Sequence, residues 1–427
     1  MRSLPLSLLV LVSLVQLAPL ASAQPTRILF IRGGPGTGGF LEGGADEQLS
    51  DIFDESTANT NHGFGQLRQL LEAEGHIVGQ AIEGPVTDNT PVDLAGLPLF
   101  AWDVIVFGSN NAEYSAEDAE LLADWVCKGG AALFISDANW GTDWGDAPTS
   151  DQTFLDHFDL VMNQDKGTYV LDEGTGDFMV PEHWILEGPD DVANSLDDVS
   201  AFDGEGVSPI SIVDLLVGVD PVVLVPAEDE MKLNNSSGSG TTVPTGPDDG
   251  ALVALEYGLG RVAGHFDRNT FFNENGAGTS LARFDNTQYA RNLFAWLAAA
   301  GGKYGPSCTD ADGNEPQLVM AGCPEPGAMM RLRVHNAPGG APVALLLGLG
   351  KAEGMSVGLC PLLVWPILDQ PILLTLGGSG PGNGVLNLPV PLPADIPLTL
   401  FTVQAFLPGS GPGGKLASTN ASSLYVH

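Results

Sequence analysis

The strongest constraint on this chain is a change of pattern along its length. From Thr26 to about Ala300, short apolar runs alternate with stretches of helical period. "RILFIRG", from Arg27, reads as a buried strand. "GFGQLRQLLEAEG" (Gly63 to Gly75) places apolar residues at helical spacing and ends on a glycine stop. "HIVGQAIE" and "DVIVFGS" (Asp103 to Ser109) are the second and third strands. "SAEDAELLADWVCKGG" is a helix with Ser115 as N-cap, acids in its first turn, and Lys128-Gly129-Gly130 closing it. "AALFISDAN" (Ala131 to Asn139) is the fourth strand. Strands and helices in turn predict a doubly wound α/β fold, a parallel sheet with helices on both faces.

Trp140 to Thr245 is less regular, with short strand candidates "TYVL" and "PVVLVPA" and an exposed polar loop, "NNSSGSGTTVPTGPDDG". Periodicity returns at "ALVALEYGLGRVAGHF" (Ala251 to Phe266), a hairpin turning at Gly258-Leu259-Gly260. "NTQYARNLFAWLAAAGG" (Asn286 to Gly302) is an amphipathic helix whose Phe294, Trp296 and Leu297 form a core stripe. Residues 303–327 are rich in Pro, Gly and Asp and read as a linker. From Ala328 to His427 there is little acid and no helical period. Short apolar strands separated by Gly and Pro predict an all-β sandwich there. The expected domains are therefore an α/β domain over 24–302 and a β-sandwich over 328–427.

The first residues, "MRSLPLSLLVLVSLVQLAPLASA", have the parts of a secretory signal: Arg2, an apolar core from Leu6 to Leu17, and Ala21-Ser22-Ala23 as a cleavage site. The expected location is extracytoplasmic, with no membrane span after signal removal. The chain carries 53 Asp and Glu against 16 Lys and Arg, a net charge of −37. Such a charge repels phosphates and excludes nucleic acid as a partner. In "CTDADGNEP" (Cys308 to Pro316), Asp310, Asp312 and Asn314 alternate as in a calcium loop, but no bidentate acid follows at the required distance. Of the four cysteines, Cys308 and Cys323 bracket a short polar loop and are the expected disulfide. Cys127 and Cys360 read as small buried hydrophobes.

Two resemblances cover nearly all of the mature chain. "WDVIVFGSNNAEYSAEDAELLADWVCKGGAALFISD", "HWILEGPDDV" and "EYGLGRVAGHFDRNTFF" occur in the order found in the class I glutamine amidotransferase-like superfamily. The chain resembles its non-amidotransferase, trehalose-utilisation-like branch. That resemblance implies a flavodoxin-like doubly wound sheet, a cysteine on the turn after a central strand, and a late His-x-Glu pair. Here the late pair is His265-Phe266-Asp267, and the turn reads Ser136-Asp137-Ala138-Asn139 with no cysteine. Glutamine hydrolysis needs a thiolate nucleophile, so the departure argues against it. The last hundred residues are similar to a C-terminal β-sandwich module of secreted bacterial proteins, which implies attachment, spacing or secretion.

In a doubly wound sheet, ligands bind beyond the carboxyl ends of the strands. Those ends carry Glu42, Glu47 and His62 after the first strand, Ser109, Asn110 and Asn111 after the third, and Ser136, Asp137, Asn139 and Trp140 after the fourth. His265, Asp267, Arg268 and Asn269 follow the late hairpin. Three readings compete. In a hydrolase, His265 is the base, Asp267 orients it, and Ser136 or Asp137 is the nucleophile or second carboxylate. In a metal-assisted version, His62 and His265 join a carboxylate. In a binding module, Asn110, Asn139, Trp140, Asn269, Glu42 and His62 hold a carbohydrate or another polar small molecule. Each residue also has a plain structural role at a strand end, and no cofactor is implied. Gly34, Gly36 and Gly39 fit G-x-G-x-x-G, but the next helix begins only near Gly63 and the intervening segment is acidic. The glycines read instead as the hinge of a loop over the rim. Glu83, ending the second strand, is the one residue suited to a ribose contact.

Overall fold

The computed structural model describes residues 25–35, 49–57, 61–136, 147–162, 168–188, 197–205, 207–212, 222–226, 249–273, 280–352, 354–368, 370–396 and 399–426. The leader at 1–23 and most of the loop beginning at Asn234 lie outside them.

The N-terminal unit contains β1 (Arg27–Arg32), α1 (Gly65–Ala73), β2 (Ile77–Ile82), β3 (Val104–Ser109), α2 (Ala116–Cys127) and β4 (Ala131–Ile135). α3 (Ala147–Leu155), β5 (Leu160–Met162), β6 (Thr168–Asp172), α4 (Trp184–Glu187), β7 (Ala201–Glu205), β8 (Ile210–Ile212) and β9 (Val222–Pro226) follow. β10 (Asp249–Tyr257), β11 (Gly260–His265) and α5 (Asn286–Ala298) complete it. The main sheet runs β2-β1-β3-β4-β11-β10-β8-β5, with β9 also paired to β10. The first five strands are parallel. β10, β8 and β5 are antiparallel to their neighbours, so the expected parallel sheet is mixed. The cause is local. Gly258-Leu259 reverses the chain in two residues, with Gly258 at φ +63°, and a turn that short can only return an antiparallel strand.

Both faces of the sheet are covered, so strand residues are apolar without alternation. Ile28 and Phe30 pack with Leu67 and Leu71 of α1 and with Leu293 and Phe294 of α5. Leu29 and Ile31 face Leu122 and Val126 of α2 and Phe154 of α3. Each fully buried side chain of this kind stabilises the fold by about 1.5–3 kcal/mol. α2 starts as its sequence predicts: Ser115 accepts from the Asp118 backbone N–H, and the Asp118 carboxylate accepts from Ser115.

The C-terminal unit is β-rich: β12 (Lys303–Tyr304), β13 (Gln317–Ala321), β14 (Met329–Gly339), β15 (Pro342–Gly348), β16 (Ser356–Val357), β17 (Cys360–Pro361), β18 (Ile372–Thr375), β19 (Gly380–Pro391), β20 (Thr399–Gly411) and β21 (Lys415–Val426). A five-stranded sheet, β12-β21-β20-β15-β18, and a three-stranded sheet, β13-β14-β19, share one core containing Leu318, Leu332, Val343, Leu345 and Val403. The stretch read as a linker, 303–327, supplies two of these strands, β12 and β13.

The cysteine pairing differs from the sequence expectation. Cys127 pairs with Cys323, and Cys308 with Cys360. β13 extends between Cys308 and Cys323 and carries the latter toward the β13–β14 turn. Cys308 instead exchanges backbone hydrogen bonds with Ser418 of β21 (2.9 and 3.2 Å), and Cys360 lies beside the Leu416 carbonyl of the same strand. Cys127 closes α2 against the β10–β11 turn, whose Leu259 belongs to the β-rich core. The Cys127–Cys323 bond thus joins the two units. The Ser423 N–H donating to Gly302 O (2.6 Å) and Lys351 paired with Glu256 (2.9 Å) join them as well. No helix among the described residues is long and apolar enough to cross a membrane.

Candidate functional site

Because β2, β1, β3, β4 and β11 run parallel, their carboxyl ends share one edge. Glu83, Gly33, Asn110, Ser136 and Phe266 are the first residues past them. The two halves of this rim differ.

The half built by β4 and β11 is closed. Ser136 is fully buried, and its hydroxyl donates to the Ser208 carbonyl, with the His265 carbonyl at 3.2 Å. The His265 ring is also fully buried. Its Nε2 lies 2.9 Å from Thr270 Oγ1, and its Nδ1 lies 2.9 Å from the Tyr289 hydroxyl. Thr270 spends its own proton on the Asp203 carbonyl at 2.7 Å. The network is satisfied when Nε2 carries the proton and Nδ1 accepts from Tyr289. Burial drives the imidazole down to about 3, so the ring is neutral. Neither nitrogen has a lone pair left for a serine proton or a metal ion. Asp267, buried as well, accepts from the Asn269 N–H at 3.0 Å in a local turn, and Asn269 itself is half-buried in the short helix that follows. Ser136, His265 and Asp267 are close in the fold but are not arranged as nucleophile, base and orienting acid.

The half built by β1, β2 and β3 is polar and carries unspent groups. Glu83, 4% exposed, accepts from the Asn111 N–H (2.7 Å), the Ala112 N–H (3.1 Å) and the Tyr114 hydroxyl (2.9 Å). Burial pushes its carboxyl up to about 7, against the pull of those three hydrogen bonds. Asn110, also buried, donates its side-chain amide to Asp151 Oδ1 of α3. Asp151 is 1% exposed, and burial holds its carboxyl well above the usual range; the Glu83 charge adds to that rise, and Asn110 and the Arg268 charge oppose it. Among the described residues the second oxygen of Asp151 has no hydrogen-bond partner, and neither has Asn111 Oδ1. His62 lies in the same electrostatic neighbourhood. Burial and the Arg268 charge lower it to about 4, and its ring stands edge-on to Phe272 at 4.9 Å.

Asn110 is bonded to Asp151, which also feels the Glu83 and Arg268 charges, and His62 shares only the Arg268 charge with that group. Glu42, Asp137, Asn139 and Trp140 lie outside the described residues. Sequence reading missed Tyr114 and Asp151. Asp151 is one acid among 53, in a segment with no strong period, and nothing local marked it. The calcium-like run is knotted on itself: Asp310 accepts from the Asp312 and Asn314 backbones (2.9 and 2.8 Å) and from the Asn314 amide (2.9 Å). Among the described residues no group of three His, Cys, Asp or Glu is placed to hold a metal. A separate cavity of about 240 Å³, lined by Phe178, Leu186 and Val199 under Glu173, Glu182 and Asp198, includes none of the rim residues.

No family model and no curated protein matches the chain. Solved structures that align with it include the mmIFT52 N-terminal domain, at 13% identity over 64% of this chain and 97% of that one, with a TM-score of 0.39. A ThuA-like protein from Parabacteroides merdae aligns at 13% identity over 66% of this chain and 94% of that one, with a TM-score of 0.33. The exo-beta-1,4-mannosidase Op5Man5 from Opitutaceae bacterium strain TAV5 aligns at 10% identity over 64% of this chain and 35% of that one, with a TM-score of 0.26. At these TM-scores none of the three decides fold or function.

Proposed function

We propose that this chain is an exported, glutamine amidotransferase-like protein of the non-amidotransferase, trehalose-utilisation-like branch. In this reading its flavodoxin-like, doubly wound domain binds a polar ligand such as a carbohydrate at the β1–β2–β3 side of the carboxyl rim, and its β-sandwich serves attachment or spacing. The observation that carries the binding role is the pair of polar oxygens there with no partner among the described residues, Asp151 Oδ2 and Asn111 Oδ1. Buried polar groups without partners are costly unless a ligand meets them, and a polyol offers hydroxyls that both donate and accept at close spacing. The amidotransferase chemistry loses its nucleophile twice over: the turn after β4 has no cysteine, and all four cysteines are paired. Two disulfides also fit an oxidising, extracytoplasmic compartment. The hydrolase alternative, with His265 and Asp267 acting on Ser136, finds no support in side chains already saturated by backbone and Tyr289. Glu83 spends its carboxylate on the Asn111–Tyr114 loop, so its role is to position that loop.

The test is a thermal-shift and calorimetric screen of neutral sugars and polyols against the wild type and Asn111→Ala. The Asn111 side chain makes no hydrogen bond among the described residues, so the variant should keep the ligand-free Tm. Loss of one ligand hydrogen bond should weaken binding by about tenfold. A screen in which no sugar or polyol raises Tm, or a variant that binds as well as the wild type, removes the proposal.

A further inference from the structure

The outer face of the three-stranded sheet β13-β14-β19 runs against the charge of the rest of the chain. The registers define that face. Residues paired across strands point the same way, and successive residues alternate. Met330, Leu332 and Val334 of β14 go inward with Leu318 and Met320 of β13 and Leu388 of β19, all in or against the β-rich core. The opposite face therefore carries Met329, Arg331, Arg333 and His335 of β14. Arg331 lies between Ala321 and Pro389, and Arg333 between Val319 and Asn387. His335 is opposite Gln317, and Met329 is opposite Pro391. No residue in this register is acidic, and both arginines are exposed.

The cations of this face are unspent. In the acidic unit Arg32, Arg68, Lys128, Arg261, Arg283 and Arg291 each pair with a carboxylate, whereas among the described residues neither Arg331 nor Arg333 has an ion pair. Their Cα atoms are about 7 Å apart on one strand face, so the two guanidiniums repel each other. In a chain with 53 acids against 16 cations, a carboxylate beside them would be the ordinary remedy. Glu315 before β13 and Glu325 in the β13–β14 turn stand at the two ends of β13 and pair with neither arginine. Lys303, exposed on β12, adds to the same field: burial lowers His335 from its ordinary 6.5, and the Arg333 and Lys303 charges lower it further.

Charge complementarity calls for an anion, and the donor set says which kind. The planar fork of a guanidinium matches a carboxylate. Beside the arginines, the Gln317 and Asn387 amides suit hydroxyls, and Val319, Ala321 and Pro389 give a low apolar floor for sugar rings. Only Glu353, Asp369 and Asp395 lie between 328 and 427, against Arg331, Arg333, Lys351 and Lys415, so the whole excess of acid precedes residue 328. A second copy would bring that entire excess with it, and duplex nucleic acid brings a negative charge for about every 1.7 Å. A polyuronate, with one carboxylate per sugar, meets the arginines with far less to repel. We infer that the outer face of β13-β14-β19 is a docking surface for a uronic-acid polysaccharide, held by Arg331 and Arg333. This names a partner for the attachment role of the β-rich unit, on which it rests, and makes no use of the rim.

The test is biolayer interferometry of the full secreted protein over immobilised polygalacturonate, with neutral dextran as the control surface. The variants are the double substitution Arg331→Gln, Arg333→Gln and, separately, Asn111→Ala. Both arginines are exposed, so the double variant should keep the wild-type Tm. The wild type should bind polygalacturonate and not dextran, and raising salt from about 50 to 200 mM should weaken it by roughly tenfold. The double variant should raise Kd by at least about tenfold. Asn111→Ala should bind as the wild type does, which separates failure at this face from failure of the rim reading. A wild type that does not bind polygalacturonate at about 50 mM salt overturns the proposal. So does a double variant that binds as well as the wild type, or a wild type that prefers single-stranded DNA. Self-association that the double variant abolishes gives the face to the acidic unit of a second copy and likewise overturns it.

Discussion

Replacing Glu83 by Gln isolates one titration in the fold. The carboxyl rises from an ordinary 4.5 to about 7 on folding, chiefly through burial. Between these values the unfolded chain has lost the proton while the native state holds it. Stability from this group is therefore complete below pH 4.5 and falls as pH rises to about 7, where it levels off. A shift of that size corresponds to roughly 3 kcal/mol. Gln stays neutral throughout. Its carbonyl can accept from the Asn111 and Ala112 N–H groups, and its amide can donate to the Tyr114 hydroxyl. Glu83→Gln should match the wild type at pH 4.5 and be more stable by up to about 3 kcal/mol above pH 7. Urea unfolding from pH 4 to 8 measures this as the difference between the two proteins. The difference matters because the buried histidines oppose the trend. His62 and His183, lowered to about 4, and His265, lowered to about 3, contribute stability that is full above 6.5 and lost as pH falls toward those values. They are common to both proteins and cancel. Parallel curves, or a Gln variant less stable at pH 8, would refute the placement of a largely protonated Glu83 beneath the loop.

Removing the inter-unit bond with Cys127→Ser and Cys323→Ser opens a loop of 196 residues. Chain entropy sets the loss at up to about 5 kcal/mol, read as a lower urea midpoint for the acidic unit; an unchanged midpoint would show that the bond does not constrain the chain. Ser136→Ala removes the hydroxyl's bond to the Ser208 carbonyl and should cost about 1–2 kcal/mol of stability while leaving ligand affinity unchanged. If affinity or any turnover collapsed at full stability, Ser136 would return to the functional site.

Local features were legible in the sequence because local physics sets them. Ser115 and Asp118 form the capping box three residues apart, and the Gly258-Leu259 reversal is a property of two adjacent residues. The strands of 303–327 were hidden by composition. Pro, Gly and Asp dominate that stretch, yet Leu318 and Met320 alternate with Val319 and enter the core as β13. The cysteines misled for a related reason. Spacing ranks Cys308 with Cys323, whereas tertiary packing brings together Cys127 and Cys323, 196 residues apart.

The rim shows why candidate chemistry is harder to read than a fold. His265-x-Asp267 at the end of a strand is equally the signature of an activated base and of a strand terminus. What separates them is whether the ring nitrogens are already spent. That depends on Tyr289, 24 residues on, and on a Thr270 hydroxyl committed to a carbonyl in β7. Neither dependence leaves a local pattern. The reverse holds for Asp151, which is indistinguishable in sequence from dozens of solvated acids. What sets it apart is a helix that lowers it out of water onto Asn110, with one oxygen unmet among the described residues. In a chain this acidic, the informative carboxylates are those withdrawn from solvent. A composition that places acid almost everywhere conceals them, and only the packing of α3 and β2 against the rim picks out Asp151 and Glu83.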